Sequence, residues 1–253
     1  MAADFESLRL LLSRIRKYGA YSDLTVLCES FTFRVHRCIV CPQSRFFDKA
    51  ISGQFQEAST GHVTLEDDPR IVAKMIDYLY CADYEDSYEY PIEELVQGTL
   101  EPPKSEEQQN EISTIDEIAE SAESAESAEN NIAAAASVLV KQRRALINAE
   151  IYVIADKYQI EGLKTLAKQK MESCLQLNWT DTDFINTTQY VYGPNIPSHS
   201  EIRDILSRYS IQHLSTLEHQ QRFHDILKSL APFSYDFSFL MIKKVLQLEQ
   251  ELW

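Results

Sequence analysis

The sequence predicts an α+β fold: a small three-stranded sheet with helices packed on it, followed by an all-helical region. Three observations carry this. Alternating apolar residues occur only in two short stretches, 24–35 and 62–65. Helical stripes recur at three- and four-residue spacing from Ile132 to the end of the 253-residue chain. A single acidic segment separates these two halves.

The elements follow in order. Residues 4–18 fit an amphipathic helix capped by Asp4, with Phe5, Leu8, Leu11, Leu12 and Ile15 on one face and Gly19 as its stop. Leu24, Val26 and Cys28 alternate, then Phe31, Phe33 and Val35 after Glu29-Ser30, which is the pattern of a two-strand hairpin. Cys38–Cys41 and Ser44–Ile51 read as two short helices separated at Pro42, with Cys38 and Cys41 as small buried residues. His62–Leu65 is a short strand. Asp68-Pro69 supplies a cap and a first-turn proline to a helix whose stripe is Ile71, Val72, Met75, Ile76 and Leu79.

Between Asp83 and Asn130 stand sixteen acids and one base, Lys104, which account for the whole formal charge of −15. The rest of the chain is neutral. Three prolines, few large apolar residues and a Ser-Ala-Glu triplet run at 121–129 predict a disordered or transiently helical insert at about 86–130. Helical pattern resumes near Ile132 and runs to Tyr158, followed by Glu161–Leu175 with Leu163, Leu166, Ala167, Met171 and Cys174 inward. Four further helical pieces are expected at Asp181–Tyr192, Ser198–Leu217, Glu218–Leu230 and Asp236–Leu252. The last carries Phe237, Leu240, Met241, Val245, Leu248 and Leu252 on one stripe.

Composition narrows the function. The six glycines are never closer than eight residues, so neither a phosphate loop nor a nucleophile elbow can be built. No basic patch serves a nucleic acid, and no apolar run reaches the length of a membrane span. Five cysteines, an odd number, in a chain without a signal-peptide pattern point to an intracellular, reduced protein. His36-Arg-Cys38-Ile-Val-Cys41 has the look of half a zinc site. No second ligand pair exists, so packing is the preferred reading. No nucleophile, base and oxyanion arrangement emerges. The expectation is a protein that is not an enzyme and uses no cofactor.

Several spaced motifs resemble a BTB/POZ domain: Ser22-Asp23-Leu24-Thr25-Val26, Phe33-x-Val35-His36-Arg37, Ser44-x-Phe46-Phe47 and Gly53-x-Phe55-x-Glu57. The following VTLEDD and IVAKMIDYLYCADY are similar to that family's third strand and next helix. Tyr152-x-x-Ala155-Asp156-Lys157-Tyr158-x-Ile160-x-Gly162-Leu163 is similar to its closing helical pair. The likeness covers about residues 18–85 and 140–175. With an insert and a tail containing Tyr190-Val-Tyr192, the whole resembles BTB proteins of filamentous fungi.

The resemblance implies an N-terminal helix at 1–20, a BTB/POZ domain at 21–175 interrupted by the acidic insert, and a helical C-terminal region at 176–253. It implies protein partners and a homodimer, with Phe5, Leu8, Leu11, Leu12, Ile15, Asp23 and Arg37 as the candidate interface. Phe55 and Glu57 resemble the hydrophobic-x-Glu motif by which some BTB adaptors hold a cullin scaffold. The readings in order are a self-associating interaction module, a ubiquitin-ligase adaptor and a transcription regulator.

Overall fold

A computed structural model describes residues 2–86, 143–194, 197 and 201–251, with side chains from residue 7 onward. Apart from Asp86, the acidic insert expected at about 86–130 lies outside the described residues, as does the first part, up to residue 142, of the helical stretch expected from Ile132 to Tyr158.

Helix α1 spans Ala2–Tyr18 and ends at Gly19, whose φ of +59° is the left-handed conformation that closes a helix. A side chain there would also strike Arg34, since a Cβ would lie 2.7 Å from that residue's own Cβ. Strands β1 (Leu24–Cys28) and β2 (Phe31–Val35) form the expected hairpin, with Val26 opposite Phe33 and Cys28 opposite Phe31. Strand β3 (His62–Leu65) joins the other edge of β1 in parallel, Val26 beside Val63, which gives the order β2-β1-β3. Leu24, Val26, Cys28, Phe33, Val35, Val63 and Leu65 all turn to the buried face. Period-two alternation shows up this clearly because only one face of the sheet is covered.

Between β2 and β3 lie α2 (Arg37–Val40), a tight 3-10 turn at Cys41–Gln43 that absorbs Pro42, α3 (Arg45–Ser52) and α4 (Gln56–Thr60). Ser44 caps α3 by accepting from the Phe47 N–H at 3.2 Å and donates to the Tyr158 carbonyl at 2.7 Å. The expected burial of the cysteine pair is not met. Val40 is the buried residue of α2, whereas Cys38 is exposed and Cys41 half-buried. Val40 takes the inward position of the four-residue helix, and Cys38, two residues before it, falls on the opposite face.

Helix α5 (Pro69–Cys81) begins at the expected cap, where Asp68 accepts from the Arg70 N–H, and it runs through the core. Helices α6 (Arg144–Lys157) and α7 (Glu161–Leu177) close the domain. Tyr158 between them packs on Phe46 and Phe47. Gly162 lets α7 approach α5, because a Cβ would sit 2.3 Å from the Tyr78 hydroxyl.

The remaining chain forms α8 (Asp181–Val191), α9 (Glu201–Gln212), α10 (Leu214–Leu217), α11 (Gln221–Ser229) and α12 (Ala231–Glu251). One expected helix, 198–217, is interrupted at His213, whose ring stacks on Trp179 at 3.6 Å. Helix α12 starts five residues before the expected Asp236 and inserts Phe233 into a cluster with Tyr192, Phe223 and Phe237. Asp183 ties this region to the first. Its carboxylate accepts from the Ala145 and Leu146 N–H groups at 2.8 and 3.2 Å, capping α6 from a helix that follows it. Burial pushes its pKa up to about 6, against the opposing pull of those two bonds.

Candidate protein-interaction surfaces

Helix α1 is held at its C-terminal end. The Arg16 guanidinium is buried over the Phe33 ring, 5.8 Å from its centroid, and pairs with Asp77 of α5 at 3.1 Å. Ile15 and Leu12 are half-buried on the same side. The other apolar residues point away from the body: Leu8, Leu10 and Leu11 are 50%, 58% and 51% exposed. The five-residue stripe expected from periodicity therefore divides. Leu12 and Ile15 lie toward the domain, Leu8 and Leu11 lie outward with Leu10, and the side chain of Phe5 falls outside the described residues. Leu10 lies off the ideal stripe, and nothing in the local pattern marks it as part of the same patch.

Asp23 and Arg37 meet. The Asp23 carboxylate accepts from the Arg37 N–H at 2.8 Å, and the Arg37 Nε–H donates to the Asp23 carbonyl at 3.0 Å. The pair fastens the entrance of β1 to the first turn of α2. Next to it His36 is fully engaged. Its N–H donates to the Tyr80 hydroxyl at 2.9 Å, Nδ1 lies 2.6 Å from the same hydroxyl, and Nε2 lies 2.7 Å from the Ala20 carbonyl. Nε2 therefore carries the proton and Nδ1 accepts from Tyr80. Burial raises the Tyr80 phenol to about 12, so it stays a donor.

Phe55 and Glu57 sit at the head of α4. Phe55 occupies the N-cap position and is 63% exposed, its ring close to the Gly53 backbone, while Glu57 is half-buried in the first turn.

A buried polar network that local sequence signals do not mark underlies the point where the acidic segment begins. Asp86 accepts from Arg144 at 2.7 Å and from the Asn148 amide at 2.8 Å, and the Tyr84 hydroxyl donates to Asn148 Oδ1 at 2.5 Å. Lys170 donates to Asp83 and to the Tyr84 carbonyl, and the buried Lys74 reaches the Glu85 carbonyl. Burial, then the Asp86 charge, pushes the Cys174 thiol up to about 12, so it remains protonated.

Among the described residues, no three His, Cys, Asp or Glu side chains are grouped to hold a metal ion, and no helix is long and apolar enough to cross a membrane. No curated protein matches the chain. Residues 12–101, which take in the C-terminal end of α1, the whole sheet and α5, match the family described as BTB/POZ domain, and the chain therefore carries a BTB/POZ domain, a protein-interaction module.

Proposed function

We propose that the chain is a non-enzymatic interaction module that binds a second copy of itself through α1. The observation that supports this is a helix anchored at one end with three leucines left in water. An isolated helix of this length is marginal, and apolar side chains at 1.5–3 kcal/mol each when buried (~3–5 kcal/mol for three half-exposed ones) reward a partner. Association itself costs about 4–15 kcal/mol, so the leucines need help from the neighbouring hairpin surface. The Asp23–Arg37 pair lies there and presents a polar edge.

Sedimentation of the full chain at tens of micromolar tests the reading. Self-association is expected, and Leu8→Asp with Leu11→Asp lowers the weight-average mass without changing the helical signal. A monomeric wild type, or a mass unmoved by the two substitutions, overturns it.

A second reading rests on Phe55, a large aromatic ring held in solvent beside an acidic residue. It is that of an adaptor docking a cullin scaffold. Pull-down with a purified cullin N-terminal domain tests this. Binding that is lost in Phe55→Ala with Glu57→Lys supports it, and no binding by the wild type at micromolar concentration removes it.

A further inference from the structure

Helix α12 presents a second apolar stripe, unrelated to the first. Phe233 anchors its start in the aromatic cluster, and Phe237, Leu240 and Met241 are half-buried on the inward side. From Ile242 to Gln250 every residue is exposed. At a rise of 1.5 Å per residue, roughly 13 Å of helix stands clear of the body. On the outward side lie Tyr235, Phe239, Ile242 and Leu246, each between 47% and 70% exposed. Their spacing of four, three and four confines them to one narrow stripe, the spacing of the seam between two paired helices.

We infer that this stripe pairs antiparallel with the same helix of a second copy. The register follows from the side chains. With Phe239 set opposite the partner's Ile242, Tyr235 falls opposite the partner's Leu246, and the two-fold axis repeats both layers. All four seam positions are filled. Tyr235, nearest the body, is the most exposed of the four at 70%, so the tip of the incoming helix has access to it.

Charge selects this arrangement over the parallel one. In the antiparallel register Asp236 lies beside the partner's Lys243, and symmetry supplies the pair twice. The Asp236 carboxylate accepts from the Tyr192 hydroxyl at 2.9 Å and retains capacity for a second donor. On the other flank Ser238 lies beside the partner's Val245, a small residue against an apolar one. A parallel pair would instead put Glu249, the next seam position, against its own copy, and would leave Lys243 beside a serine. Two like charges across a seam oppose that geometry.

A two-fold contact at α12 is distinct from the α1 contact proposed above. Together they link copies into an open chain, so the wild type sediments above the mass of a dimer at tens of micromolar. The α12 contact is tested with α1 disabled. The variant Leu8→Asp with Leu11→Asp is expected to remain a dimer, and adding Ile242→Asp, at an exposed position, is expected to make it a monomer. If the first variant is already monomeric while the wild type associates, the α12 contact is overturned and the α1 reading stands. If the first variant keeps the wild-type mass and the added substitution makes it monomeric, α12 stands and the α1 reading fails.

The register has its own test. In the α1-disabled chain, Lys243→Asp weakens the dimer at least tenfold, and Asp236→Lys added to it restores the dimer. Asp236 also bonds Tyr192, so a Cys38→Ser background supplies a second measurement that leaves it intact. There, Phe239→Cys and Ile242→Cys chains cross-link to each other on mixing. Cross-linking of Phe239→Cys chains among themselves in preference to the mixed product overturns the antiparallel register.

Discussion

Asp86 and Arg144 stand 58 residues apart in sequence and form an ion pair at 2.7 Å. Asp86 is buried and Arg144 is only partly exposed, so removing one partner strands a charge away from water. Arg144→Ala is expected to destabilise the chain by about 3 kcal/mol, read as a shift in the urea midpoint at constant slope. Asp86→Asn, which keeps the Asn148 contact in part and leaves the more exposed arginine behind, costs less.

The same pair holds both flanks of the acidic segment together. Deleting residues 90–128 therefore shortens a connection whose flanks are already fixed. Loop-closure entropy alone gives about 1 kcal/mol of stabilisation, and the sequence pI rises from 4.8 toward neutrality. Calorimetry should find an unchanged or slightly raised midpoint with full cooperativity. A broadened or lost transition would mean that the segment contributes to the core.

Asp183 makes stability depend on pH. Its folded pKa of about 6 lies above the ordinary aspartate value of 3.8, so the folded state binds the proton more tightly than the unfolded one. Its stabilising contribution is complete below about pH 4 and is lost as the pH rises through about 6. Asp183→Asn mimics the neutral acid at every pH. Relative to that variant, wild type should gain on the order of 2–3 kcal/mol between pH 7 and pH 4, measured by urea unfolding at both. Asp183→Ala, which uncaps α6, should lose about 1–2 kcal/mol at pH 7, and more at pH 4, because alanine cannot take up the proton that stabilises the wild type there.

Tyr80→Phe removes a hydroxyl that both donates to and accepts from His36. The backbone N–H and Nδ1 of His36 are then left unpaired in a buried site. The expected cost is about 1–3 kcal/mol, checked by the thermal midpoint. His36→Ala with Tyr80→Phe should cost less than the sum of the single changes, because Nδ1 is removed together with its partner and only the backbone N–H at position 36 is left unpaired.

What was legible in the sequence was local. The hairpin, the third strand and the capped start of α5 each rest on a few adjacent residues, and all three stand where the pattern puts them. Asp86 was not legible as a buried acid, because its partners Arg144 and Asn148 lie 58 and 62 residues away. The outward stripe of α12 escaped for a different reason. That helix is apolar over most of its circumference, and periodicity fixes which residues share a face but not which face meets the body. Phe233, outside the expected helix, decides the rotation. At α1 the same ambiguity merged inward Ile15 with outward Leu8. Of the candidate contacts, only the meeting of Asp23 with Arg37 needed the fold, since β2 has to return beside β1 before the two can touch.

Tyr158 completes a core begun more than a hundred residues earlier, and this has a consequence for synthesis. The sheet and α5 emerge from the ribosome first, with Phe46 and Phe47 awaiting their cover. At about 5–20 residues per second, the stretch from 87 to 142 delays α6 by about 3–11 s. Through that interval the nascent chain carries an uncovered apolar face. The next residues to emerge bear sixteen acids against a single lysine, a like charge that opposes the approach of one such chain to another while that face is uncovered.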